Sequence, residues 1–162
     1  MNSPLTPAAG FKVDQIKFLE SRVTSFRMDN HLNLATDGRR LSGFDYSITT
    51  SQDIDIKKCV IRVKIGVVLR AVLKGQSDRI DTGAIETETV FQLKQLPKFM
   101  VGLNGESVEL PPAIGGTVLG LAYSTMRGTL LTLGAGTILS KAFLPVVNPV
   151  VLLRNSVAEV KA

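Results

Sequence analysis

Between Cys59 and Leu73 the chain places an apolar side chain at every second position: Cys59, Ile61, Val63, Ile65, Val67, Leu69, Ala71 and Leu73. The alternate positions carry Lys58, Arg62, Lys64 and Arg70. A strand sends successive side chains to opposite faces, so this pattern predicts a long strand with one apolar and one charged face. The fold must therefore contain a sheet and something apolar to cover one side of it.

Two further stretches share the period. Phe44, Tyr46, Ile48 and Thr50 alternate with Asp45, Ser47 and Thr49. Ile85, Thr87, Thr89, Phe91 and Leu93 face one way, with Glu86, Glu88, Gln92 and Lys94 opposite. The turn-rich GQSDRIDTG of Gly75 to Gly83 separates this last strand from the first. Antiparallel pairing of the two would bring Glu86 and Glu88 near the basic row. Between Phe11 and Met28 the parity switches: Ile16 and Phe18 share one face, Leu19 and Val23 the other, and Phe26 and Met28 return. One extra residue swaps the faces of a strand, so a bulge or bend is expected here. His31 to Arg40 reads as a loop with an Asp37-Gly38 turn.

The cover comes from Leu110 to Arg154, apolar but interrupted by charge. The strand period ends at Leu96-Pro97, and Pro111-Pro112 can open a helix, whose first turn needs no donated backbone bond. Gly116, Gly120, Ser124 and Gly128 then recur every four residues and make one row of small side chains. An internal glycine costs a helix roughly 0.5–1 kcal/mol against alanine, so another backbone approaching closely is the expected compensation. Pro145 ends what precedes it. Asn148-Pro149 reads as an N-cap and first helical residue of a short helix through Leu152 and Leu153.

These 162 residues suit one domain over 11–155, with a disordered N-terminus at 1–10 and a flexible C-terminal tail at 156–162. A mean hydropathy of +0.21 with 44% hydrophobic residues is high for so small a fold, and points to an oligomer or an apolar partner. The net charge of +5 raises a nucleic-acid-binding sheet protein as a reading of another class. Against it, the basic residues are scattered, with no run longer than Arg39-Arg40 or Lys57-Lys58, and stacking aromatics do not interleave them. The opening MNSPLTPAAG has neither the basic start nor the apolar core of a signal peptide. The longest uncharged run, Leu110 to Met126, falls short of the roughly 20 apolar residues of a membrane helix. A cytoplasmic protein without membrane insertion is expected.

Catalytic signatures are missing. The chain has one histidine and one cysteine. Cys59 can form no internal disulfide and reads as a small buried hydrophobe in a reducing compartment; His31 has no ligand at metal spacing. Gly134-Ala135-Gly136 lacks the third glycine of a dinucleotide loop and follows a helix rather than a strand. Asp53 with Asp55, and Glu86 with Glu88, are each two apart, as on a solvated strand face. The expectation is a protein that is not an enzyme and uses no cofactor or metal.

Four strands in series, a long small-residue helix, a Leu-Pro turn and a short helix resemble the SecB family of export chaperones. Ala122-Tyr123-Ser124-Thr125-Met126-Arg127-Gly128-Thr129 is similar to the end of that family's long helix. Gly136-Thr137, then Leu144-Pro145-Val146-Val147-Asn148-Pro149, is similar to the segment before its last helix. The likeness runs from about Phe11 to Asn155. It implies an α+β fold: a four-stranded antiparallel sheet with a long helix and a short C-terminal helix on one side. It also implies a homotetramer built as a dimer of dimers, and ATP-independent holding of unfolded or aggregation-prone polypeptides in apolar grooves. On that template the helix from Pro112 to Leu131 makes the inter-subunit layer through Gly116, Gly120, Ser124 and Gly128. The client groove is lined by Phe26, Met28, Phe44, Tyr46, Phe143, Leu144, Val147 and Leu152. The chain departs from the pattern in charge: export members dock on the export motor ATPase through an acidic surface and a tail, and neither maps onto this basic sequence. Other relatives guard an antitoxin in toxin–antitoxin–chaperone systems, which makes an antitoxin the alternative client.

Overall fold

A computed structural model describes residues 10–29, 41–102 and 109–161. Four long strands, β1 (Ile16–Met28), β2 (Leu41–Asp55), β3 (Val60–Leu73) and β4 (Arg79–Leu93), precede a short helix α1 (Leu96–Phe99) and the long helix α2 (Pro112–Leu133). A 3-10 turn at Ile138–Lys141, helix α3 (Pro149–Arg154) and strand β5 (Val157–Lys161) follow. The expected loop at His31 to Arg40 and all but the last residue of the N-terminal segment at 1–10 lie outside the described residues.

The sheet runs β1-β4-β3-β2-β5. β2, β3 and β4 form successive antiparallel pairs and β1 returns beside β4, a Greek-key order. The strand read from Cys59 to Leu73 sits at its centre, with Ile61, Val63, Ile65, Val67, Leu69 and Ala71 almost wholly buried. Ile114, Val118, Leu119, Ala122, Tyr123, Met126 and Leu130, one face of α2, close over them into a single core. The expected architecture of a four-stranded antiparallel sheet with a long and a short helix is present.

The parity switch in β1 comes from two bulges, between Phe18 and Glu20 and between Val23 and Ser25. Each adds one residue, so Phe18, Val23 and Phe26 end up opposite Phe91, Thr87 and Ile85, all on the helix side. Residues of mixed sequence parity thus share one spatial face.

Two expectations are corrected. Cys59 is not in the strand: it closes the turn between β2 and β3 with φ 55°, half-buried, its amide donating to Ile56 O at 3.2 Å. It continues the parity of β3, but the tight turn needs a left-handed residue there. The tail expected to be flexible forms β5, parallel to β2 in the register Ser51↔Val157 to Asp55↔Lys161. The edge of β2 has unmet backbone donors and acceptors, and the tail's valines favour a strand.

On the far face, Glu88 stands opposite Arg22 of β1 and Lys64 of β3, with ion pairs at 2.5 and 3.7 Å. The two cations flank the carboxylate and leave Glu88 only 6% exposed, although it points away from the core. Arg62 pairs with Asp53, Arg79 with Asp45 and Arg27 with Asp81.

Candidate functional site

Helix α2 lies over β3 and β4, which leaves two apolar strips beside it. The first is the helix-side face of β1 with its first bulge. Phe18, Leu19, Val23 and Phe26 are between 36% and 50% exposed there, whereas their neighbours Ile85 and Phe91 on β4 are buried. Phe18 also leans edge-on against Phe91, ring centroids 5.8 Å apart.

The second strip lies across the sheet, where residues 142–148 run without helix or strand from the 3-10 turn to α3. Two phenols hold this segment: Tyr46 Oη donates to the Phe143 carbonyl and Tyr123 Oη to the Pro145 carbonyl, each at 2.9 Å. Between the anchors Leu144 is buried, while Phe143 is 69% and Val146 86% exposed. Beneath it the rings of Phe44 and Tyr46 stack 6.5 Å apart. Burial raises the pKa of both phenols; Tyr46 raises that of Tyr123 further, and Arg127 pulls it back.

The residues expected to line one groove divide between the strips. Phe44 and Tyr46 lie on β2, Tyr46 bonds the Phe143 carbonyl, Leu144 and Val147 follow in the same segment against the core, and Leu152 on α3 has its carbonyl 3.5 Å from Thr50 Oγ1. Phe26 and Met28 are elsewhere: the register runs Tyr46–Leu69–Gly83–Met28, so two strands separate them. The Greek-key connection takes β1 to β4, although β2 follows it in sequence. Sequence reasoning missed Phe18, Leu19, Val23 and Val146; once a strand contains two bulges, parity no longer tells which side chains share a face.

The small-residue row on α2 is also divided. A Cβ on Gly120 would meet Pro149 Cγ of α3 at 3.0 Å, and one on Gly115 would meet Leu153 at 3.2 Å. The close partner compensating these glycines is therefore the chain's own α3, capped by Asn148 Oδ1 accepting from Val150 N at 2.9 Å. At Gly116 and Gly128 a Cβ would meet open space, Ser124 is exposed, and Leu131 one turn on is 43% exposed.

Among the described residues no three His, Cys, Asp or Glu side chains are grouped to hold a metal ion, and no helix is long and apolar enough to cross a membrane. What these surfaces offer is contact with apolar groups.

No family model matches the chain, and no curated protein matches it in sequence. Among solved structures it is similar to the SecB-like chaperone of Mycobacterium tuberculosis, solved in complex with a ChAD peptide from the HigA1 antitoxin. Identity is 18% over 82% of this chain and 89% of that one, with a TM-score of 0.51. A protein of unknown function from Streptococcus agalactiae matches at 8% identity over 82% and 96% of the two chains, with a TM-score of 0.36. The fold is SecB-like.

Proposed function

We propose that this chain is an ATP-independent chaperone, a holdase that seats apolar segments of unfolded or aggregation-prone polypeptides on the two strips. The observation carrying the reading is the β1 strip, whose four large apolar side chains lie open along roughly 20 Å of strand. Half-exposed side chains gain about 1 kcal/mol each when covered, so from this side one strip supplies only a millimolar grip. Firm holding therefore requires both strips and several subunits, and a homotetramer would supply them. Burial drives such binding without nucleotide.

The nearest alternative within this reading is a dedicated antitoxin client. It is favoured by the antitoxin peptide in the similar chaperone structure and by the net charge of +5, opposite in sign to the acidic docking surface of export members. A nucleic-acid role is disfavoured by the far face of the sheet, where Arg22, Lys64, Arg62 and Arg79 are met by carboxylates.

The test is light scattering of a chemically unfolded client diluted into buffer with the protein titrated in and ATP absent. Suppression that saturates near one oligomer per client and survives about 0.5 M salt supports the holdase; no suppression at any ratio removes general holding.

A further inference from the structure

β5 is the one parallel strand of a sheet otherwise antiparallel among the described residues, and it covers only Ser51 to Asp55 of β2. From Leu41 to Thr50 the outward edge of β2 has no strand beside it among the described residues. That open length runs alongside the second apolar strip, where Phe44, Tyr46 and Ile48 lie on the helix side. A strand edge carries a row of unmet backbone donors and acceptors, the groups to which an extended peptide adds.

β5 itself is a weak occupant. It has five residues against the fifteen of β2.

We propose that β2 receives an extended client segment by strand addition, and that β5 is the chain's own stand-in on that edge, displaced as the client pairs. The occupant is a polypeptide whose alternate residues are apolar: one set lies along Phe44, Tyr46 and Ile48, while its main chain bonds to β2. Ser51 and Val157 mark where client and tail compete. This rests on the holdase reading above and specifies how a client is gripped.

The probe is a blocked peptide of about fifteen residues alternating valine and serine, long enough to cover the open edge and the residues under β5 together. In the full chain, Ala158→Pro with Val160→Pro removes backbone donors from β5 and frees the edge. If the tail occupies the edge about nine parts in ten, the variant binds the peptide about tenfold more tightly. Hydrogen exchange of the complex then shows β2 amides newly protected. Unchanged or weaker binding by the proline variant, or β2 amides without added protection, would each overturn the proposal. In any of these cases, wild-type protein that still suppresses client aggregation leaves the holdase reading standing. Wild-type protein that suppresses none removes that reading and this one with it.

Discussion

Tyr46 Oη donates to the Phe143 carbonyl at 2.9 Å, and that bond ties the middle of β2 to the segment carrying the exposed Phe143 and Val146 rings and methyls. Tyr123 makes the matching bond to Pro145 from α2. The strip is therefore held by its backbone while its apolar side chains stay free to meet another molecule.

Removing either hydroxyl leaves a carbonyl without its partner. Tyr46→Phe and Tyr123→Phe should each cost about 1 kcal/mol. Urea unfolding measures the loss, and faster amide exchange confined to residues 142–148 and their neighbours locates it.

The same phenols set an alkaline limit. Both have pKa values raised by burial, so the folded chain holds these protons more tightly than the unfolded chain does. The stabilisation is complete below the ordinary phenol value of about 10 and is lost as pH rises through the higher folded-state values. Stability should fall as pH rises above about 10, and the Tyr46→Phe, Tyr123→Phe double variant should lose less there. Tyrosinate absorbance against pH, read beside thermal unfolding, checks both.

Glu88 provides a third case. It is buried on the solvent-side face only because Arg22 and Lys64 lie across it. Glu88→Ala leaves two facing cations and removes a charged hydrogen bond, at about 2 kcal/mol. Arg22→Ala should cost less than about 1 kcal/mol, because the arginine side chain is 61% exposed. Equal losses in urea titrations would show that burial of Glu88 depends on Arg22 alone.

The sheet was legible where alternation is long, over β3 and from Ile85 to Leu93 of β4, and α3 because Asn148-Pro149 states its start chemically; Arg79 to Gly83 read as turn for its Asp and Gly, yet opens β4. The paired strip was not. The family resemblance grouped Phe26 with Phe44 in one groove, but backbone pairing carries β1 to β4, a choice made by long-range packing. Gly120 shows the same limit: its spacing with Gly116 and Gly128 foretold a close neighbour, yet not that Pro149 of the same chain fills one position and leaves the others open.

That division separates two variants. Gly120→Leu must push Pro149 aside and unseat α3, so it should destabilise the subunit by about 1–3 kcal/mol whatever its effect on assembly. Gly128→Leu enters open space and improves helix propensity by up to about 0.8 kcal/mol, so subunit stability should hold or rise. If the row is an inter-subunit layer, Gly128→Leu should lower the mass found by light scattering after gel filtration. An unchanged mass would put the interface elsewhere.

The two strips can be weighed against each other with paired serine substitutions. Phe143→Ser with Val146→Ser removes side chains already mostly in solvent, so the fold should lose little. Phe18→Ser with Phe26→Ser also takes away the edge-on contact with Phe91, worth about 1 kcal/mol, and should show a modest drop in stability. For client binding, each pair forfeits about 2 kcal/mol of covered apolar surface, close to a thirtyfold loss in affinity. Fluorescence anisotropy of a labelled unfolded client gives both numbers. A loss from the β1 pair alone would make the strip on β1 the grip and the Phe143 segment a cover for β2. Losses from both pairs, with the four-fold variant worse than either, would mean that one client chain spans the two sides of α2.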